Sequence, residues 1–107
     1  MNQGDVYWYA LRSPDKRRPV LILTRDSAIS YLTGITIAPI TSTIRGIASE
    51  VQLTTDDGLY TDCAASLDNI QTVLKSSMGQ FIAHLSPERM REVRQAIRFV
   101  LGFDDSA

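Results

Sequence analysis

Ile35-Thr36-Ile37-Ala38-Pro39-Ile40-Thr41-Ser42-Thr43-Ile44-Arg45-Gly46 decides how the rest of the chain is read. Residues 35–40 alternate around β-branched side chains, the period of an extended strand whose side chains leave on opposite faces. Thr41-Ser42-Thr43 then ends the apolar run, and Arg45-Gly46 is turn chemistry. Pro39 has no N–H to give a ladder, so it predicts a strand end or an edge position.

The same grammar holds outward from this stretch. Val6-Tyr7-Trp8-Tyr9 is aromatic, and Pro19 to Thr24 is a nearly continuous apolar run. Ala48 to Leu53 alternates, with Val51 and Leu53 on one face and Glu50 and Gln52 on the other. Cys63 to Val73 supplies one or two further strands around Leu67, Ile70 and Val73, and Phe81-Ile82-Ala83 a short edge. Ser13-Pro14-Asp15-Lys16, Thr33-Gly34 and Thr55-Asp56-Asp57-Gly58 punctuate the strands, the last favouring a hairpin. Many short strands at close spacing predict a small barrel or sandwich. After Leu85 the period changes. Ser86 suits an N-cap, Pro87 the first helical position and Glu88 the helix dipole; Met90, Val93, Ile97, Val100 and Leu101 recur at helical spacing until Gly102. The expected fold is mainly β with a C-terminal α-helix, one domain over residues 1–103, and a flexible tail Asp104 to Ala107.

Composition narrows the function by exclusion. At 107 residues, 44% hydrophobic and 21% charged, the chain has room for one core and no second catalytic module. A net charge of −1 argues against a protein that coats nucleic acid non-specifically. The distribution is uneven, however: Arg12, Lys16, Arg17, Arg18, Arg25 and Arg45 fall in the first half, whereas residues 51–85 carry Asp56, Asp57, Asp62 and Asp68 against Lys75. One face can therefore be locally positive. Cys63 alone gives neither a disulfide framework nor a Cys-rich metal site. Met1 to Asp5 lacks the basic start and apolar run of a signal peptide, and no stretch is apolar enough to span a membrane; a cytoplasmic location without a membrane partner is expected. His84 is the sole histidine, which excludes a two-histidine ribonuclease, a histidine-ligated zinc and most Ser/His or Cys/His triads; it reads as structural or partly exposed. No Gly-rich segment leads into Lys-Ser/Thr, so no phosphate loop is present. Neither metal nor cofactor is expected.

Polar residues at strand ends remain: Arg18 before the run from Val20, Thr41-Ser42-Thr43 with Arg45, and Asp68-Asn69 between Leu67 and Ile70. Each alone reads as a solvated charge, a turn or a tight corner.

Their order carries more. Gly4-Asp5-Val6-Tyr7-Trp8, Arg18-Pro19-Val20-Leu21-Ile22-Leu23, Pro39-Ile40-Thr41-Ser42-Thr43-Ile44-Arg45-Gly46, Glu50-Val51-Gln52-Leu53 and Leu67-Asp68-Asn69-Ile70-Gln71-Thr72-Val73 together resemble the MazF/PemK toxins. So does the helix from Ser86-Pro87-Glu88-Arg89-Met90 to Val100-Leu101-Gly102-Phe103, and the resemblance spans essentially the whole chain. It implies an SH3-like small barrel, a homodimer, and metal-independent cleavage of single-stranded RNA at a short sequence. It also implies a MazE-like antitoxin whose acidic tail lies across the substrate groove. The family's active-site arginine falls on Arg18, its threonine on Thr41, the neighbouring serine on Ser42, and the acidic residue some members use on Asp68.

Chemistry agrees with this carry-over. RNA is cut by its own 2′-hydroxyl attacking the adjacent phosphate, giving a 2′,3′-cyclic phosphate and a 5′-hydroxyl, so the protein needs mainly to align atoms and stabilise phosphoryl charge. A guanidinium at Arg18 offers phosphate a planar fork of donors, and Thr41 or Ser42 can hydrogen-bond a phosphate oxygen or fix the sugar. The acceptor of the 2′-hydroxyl proton stays open, because an arginine remains protonated and Asp68 would need a raised pKa. Arg45, Asn69 and Gln71 are the candidates for contacting splayed bases, with Thr43 beside them. Lys16 and Arg17 lend positive charge to the loop Ser13 to Arg17, which is shorter than in many members of the family. Arg91, Arg94 and Arg98 form a stripe opposite the apolar face of the helix, a solvated face or, more sharply, a contact for an acidic antitoxin tail. The rival on a related barrel is a CcdB-like gyrase poison without catalysis; an inactive barrel that only binds RNA or a partner is a third reading.

Overall fold

The computed structural model describes residues 1–10 and 17–103. Its elements run β1 (Asp5–Ala10), β2 (Arg17–Ile22), a four-residue helix α1 (Asp26–Ile29), β3 (Gly34–Thr41), β4 (Glu50–Leu53), β5 (Cys63–Ser66), β6 (Gln71–Leu74), β7 (Met78–His84) and α2 (Pro87–Val100). All pairings are antiparallel, in the order β4-β5-β3-β2-β1-β7, with β6 also on β3. The expected mainly β fold with a C-terminal helix is present. Among the described residues, however, no pairing joins β4 to β7, so the sheet stays open where a closed barrel would have none of its edges free.

Alternation in the strands divides the interior in two. Leu21, Ala38 and Ile40 point into a main cluster with Val6, Val51, Leu53, Leu67 and, from α2, Val93 and Ala96. Their neighbours Val20, Ile22, Ile35 and Ile37 point the other way, into a second cluster with Ile29 and Val73, flanked by Tyr7 and Tyr9. Both faces of β2 and β3 are thus buried, which is why their sequences read as continuous apolar runs.

Several boundaries differ from the sequence reading. β2 begins at Arg17, before the apolar run, because β1 pairs with it as far as Ala10↔Arg17. It gives way at Leu23, and the Thr24 hydroxyl takes over by accepting the Thr36 N–H at 2.7 Å. β4 starts at Glu50 rather than Ala48. Phe81-Ile82-Ala83 does lie on an edge strand, but one of seven residues rather than a short one, because β1 supplies a long partner. Pro39 is neither a strand end nor on an edge strand: it lies inside β3 opposite Val20. The other side of β3 changes partner there, from β6, paired through Ile37, to β5, paired from Ile40. Pro39 occupies the gap between them, where no ladder asks for its missing N–H. The expected hairpin at Thr55 to Gly58 does join two antiparallel neighbours, but through a 3₁₀ turn over Thr55–Asp57. A capping box from Thr54 and Asp57 starts that turn, and Gly58 ends it at φ +93°, with Ala83 filling the space where a Cβ would sit.

α2 is the predicted helix. The Ser86 hydroxyl accepts the Arg89 N–H at 3.2 Å, and Pro87 sits at the start. Val93 and Ala96 are buried, with Met90, Ile97 and Val100 packed against the same cluster; Leu101 lies past the last turn and is exposed. His84 is exposed, and its Nδ1 pairs with the buried carboxylate of Asp5 at 2.7 Å. Lys16, most of the loop Ser13 to Arg17 and the tail Asp104 to Ala107 lie outside the described residues.

Arg89 ties α2 to the β4–β5 connection, its Nε donating to Asp57 Oδ1 at 3.0 Å. Burial pushes the Asp57 carboxyl up, but hydrogen bonds from Arg89 and the Thr54 N–H outweigh it and hold the group below its ordinary 3.8. A carboxyl depressed in the folded state stabilises fully above its unfolded pKa, and that contribution fades as pH falls through the folded value. Asp57→Asn is therefore expected to cost about 1 kcal/mol at pH 6, a charge-assisted bond discounted for partial exposure. In urea titrations the gap between variant and parent should close as the pH is lowered well below 3.8. A gap of unchanged size at acid pH would remove the ion pair from the account.

Candidate active site

Arg18 stands in β2 on the same face as Val20 and Ile22, opposite Tyr9 of β1. Extending the β2–β3 register two residues beyond its last pair, Val20↔Pro39, sets Arg18 across from Thr41, the final residue of β3. Cross-strand neighbours on one face lie about 5 Å apart at Cβ. Three depressions meet at this point, and Arg18 lines all of them.

The first, of about 270 Å³, is lined by Thr41 and Ser42 together with Trp8, Arg17 and Tyr60. The second contains Thr41, Thr43, Arg45, Glu50, Ser66 and Asn69. The third continues along the second cluster's face past Tyr9, Pro39, Asn69 and Gln71. The three adjoin as one groove across the strand ends with Arg18 at its junction. Pro39 forms part of its floor because β5 and β6 part company there, which leaves the face of β3 uncovered.

The loop after β3 is held by a single carboxylate. Glu50 Oε1 accepts from the backbone N–H groups of Arg45 at 2.9 Å and Gly46 at 3.2 Å, while the Thr43 N–H donates to Thr41 Oγ1 at 3.1 Å. Asn69 Nδ2 donates to Ser66 Oγ at 2.8 Å, which fixes the amide at the end of the 3₁₀ turn Leu67–Asn69. These contacts place the hydroxyl and amide groups before any ligand arrives, the condition for electrostatic stabilisation at low reorganisation cost.

Of the residues singled out in the sequence, Arg18, Thr41, Ser42, Thr43, Arg45, Asn69, Gln71 and Arg17 come together along the groove. Asp68 does not: it is exposed on the 3₁₀ turn and lines none of the three depressions. Arg91, Arg94 and Arg98 are exposed along α2 and line none of the three depressions; Arg98 lines another, between α2 and β4, that shares Glu50 with the second. Trp8, Tyr60 and Glu50 went unassigned in the sequence. Glu50 carried no signal beyond strand alternation, yet it is the carboxylate that shares a depression with Arg18 and Thr41.

Cys63 also lines the first depression but is no nucleophile there. Burial, with Asp57 and Asp62 nearby, pushes its thiol up to about 11, so it stays protonated near neutrality. Among the described residues no cluster of histidine, cysteine and carboxylate side chains has metal-ligating geometry, and no helix is long and apolar enough to cross a membrane.

A family profile described as PemK-like, MazF-like toxin of type II toxin-antitoxin system matches residues 2–101. Endoribonuclease MazF3 of Mycobacterium tuberculosis (strain ATCC 25618 / H37Rv) is 42% identical over 90 residues, 84% of this chain and 87% of that protein. The solved Mycobacterium tuberculosis toxin MazF-mt6 superimposes with a TM-score of 0.85 at 37% identity, over 94% of this chain and 98% of that one. An endoribonuclease in complex with its cognate antitoxin, from a mycobacterial species, shares the fold with a TM-score of 0.87 at 24% identity, covering 97% of each chain.

Proposed function

The chain belongs to the family of PemK-like, MazF-like toxins of type II toxin–antitoxin systems and is an endoribonuclease of that kind; on that premise we propose that it cuts single-stranded RNA at a short sequence, without a metal ion, in the groove that converges on Arg18. The observation that carries this reading is the junction itself. Arg18 lines all three depressions, Thr41 lines two of them and Ser42 the first, with amide and guanidinium groups along the arms.

In this mechanism the 2′-hydroxyl oxygen attacks the adjacent phosphorus and the bond to the 5′-oxygen of the next nucleotide breaks. The products are a 2′,3′-cyclic phosphate and a 5′-hydroxyl. Arg18 holds the non-bridging oxygens as negative charge builds on them, and the Thr41 and Ser42 hydroxyls donate to a phosphate oxygen or fix the ribose. Arg45, Thr43, Asn69 and Gln71 contact the strand on one side of the cut, and Arg17 adds positive charge on the approach. Asp68, beside Asn69 but outside the depressions, suits a carboxylate met by the passing strand rather than one fixed against Arg18. The active form is a homodimer in the cytoplasm, held silent by a MazE-like antitoxin. The gyrase-poison alternative is not favoured, since the named relatives are endoribonucleases.

The test is a defined long single-stranded RNA incubated with the purified protein in EDTA. Cuts at one short sequence are expected, with 5′ ends that a kinase labels without prior phosphatase and 3′ ends closed as cyclic phosphates. A single 2′-deoxyribose at the cut position should abolish cleavage there. Cutting of the deoxy substrate, or dependence on added magnesium, would overturn the mechanism.

A further inference from the structure

Tyr60 is 72% exposed, yet it is not loose: its ring stacks on Trp8 with centroids 5.8 Å apart and planes 22° from parallel. Trp8 in turn carries the Arg17 guanidinium 4.4 Å from its ring centroid. Three flat groups from three segments, β1, the start of β2 and the β4–β5 connection, are thus assembled into one stack that leaves most of an aromatic ring facing water. Resting on the active-site reading above, we propose that this stack is the seat for one splayed-out base of the substrate, the nucleotide next to the scissile phosphate, and that it binds the base by its face rather than by its edge.

Four observations converge on that occupant. The depression beneath the stack shares Arg18 and Thr41 with the catalytic junction, so a phosphate held by Arg18 leaves its neighbouring base at Tyr60. Its floor is apolar, with Ile40, Leu59 and Cys63 all nearly buried, which suits a π-face and not a phosphate. Its volume of about 270 Å³ falls below the ~300–1,000 Å³ of pockets for drug-sized ligands and fits a single base. Arg17 and Arg18 make its rim cationic, complementary to the flanking phosphates. A protein segment would meet the same apolar floor but has no use for two guanidinium groups beside a hydroxyl pair unless it is acidic, and that occupant is one arm of the test.

The groove is therefore asymmetric about Arg18. On one side an aromatic face accepts any base, because every base has a π-face. On the other, Arg45, Asn69 and Gln71 present hydrogen-bonding groups that discriminate base edges. The recognised sequence should accordingly be strict on one side of the cut and permissive on the other.

Trp8 is the chain's single tryptophan, so the site reports on itself. A short RNA spanning the cut sequence, made uncleavable by one 2′-deoxyribose at the cut, is titrated while Trp8 fluorescence is read. Wild-type protein should quench, and an abasic nucleotide at one position flanking the cut should remove the quench and weaken binding about tenfold. Tyr60→Ala should weaken binding of the intact oligonucleotide by a similar factor and lose nothing more to the abasic substitution; Tyr60→Phe should restore binding. Equal abasic losses at every position in wild type and Tyr60→Ala would overturn the proposal. So would a stack that RNA leaves unquenched and an acidic peptide quenches. The readout needs no cleavage, so a coupled loss with RNA that the wild type never cuts would sink the nuclease mechanism and leave the base seat standing.

Discussion

Arg18→Ala should lower the single-turnover rate of RNA cleavage by about 10²–10³-fold, the scale of losing one preorganised donor to a developing oxyanion. The side chain is exposed and lines all three arms of the groove, and it has no ion-pair partner among the described residues. Its removal takes nothing from the core, so stability should stay within about 0.5 kcal/mol of the parent. Loss of rate without loss of fold separates a catalytic arginine from a structural one. Arg18→Lys refines the test. It keeps the charge but loses the planar fork, so it should recover only part of the rate. Measured under single turnover across an RNA titration, the defect should appear chiefly in the maximal rate, because the charge Arg18 meets is larger in the transition state than in bound substrate. Arg18→Ala protein that cuts as fast as the parent would move the chemistry out of the groove.

The largest effect on stability is expected at Leu67. The residue is fully buried in the main cluster, and its backbone N–H donates to the Ser49 carbonyl at 2.9 Å, so the turn it begins is pinned both by packing and by a hydrogen bond. Leu67→Ala should cost about 2–5 kcal/mol, the transfer of the lost methyl groups together with the cavity left behind. For a chain of this size, whose whole stability is of order 5–15 kcal/mol, the melting temperature should fall by roughly 10 °C or more. Urea denaturation gives the free energy directly. The variant should also cut RNA less well than its folded fraction accounts for, because Leu67 anchors the turn that carries Asn69 into the groove. A loss below about 1 kcal/mol would mean that the turn floats on the core instead of gripping it.

The strands and the helix were legible because their signals are periodic and local. Ser86 and Pro87 announce the start of α2 through chemistry confined to one turn, and the alternation from Ile35 to Ile40 needs no partner to be recognised. What escaped depends on partners. Pro39 reads as a strand end until β5 and β6 are seen to leave a gap beside it. β7 reads as three residues until β1 is found to pair with it over most of its length. α1 is four residues long, too short for a helical period to show. The open sheet follows from which strands pair, which the alternating pattern does not encode. At the site, Arg18 and Thr41 were reachable through the resemblance to MazF/PemK toxins. Trp8 and Tyr60 were not, because a separation of 52 positions along the chain hides a stack that forms only when β1 meets the β4–β5 connection.

The pairing of β1 with β7 bears on the order in which the chain is made. Asp5 at the start of β1 finds His84, 79 positions later, and β1 is the strand that braces the one bearing Arg18. A ribosome delivers the N-terminus first, so Arg18, Thr41 and Asn69 all emerge before the strand that secures their scaffold. The closing contact is among the most distant along the sequence, and its entropy cost is met only when the last third of the chain arrives. An unfinished copy of this nuclease is thus an assembly of correct side chains on an unsecured sheet.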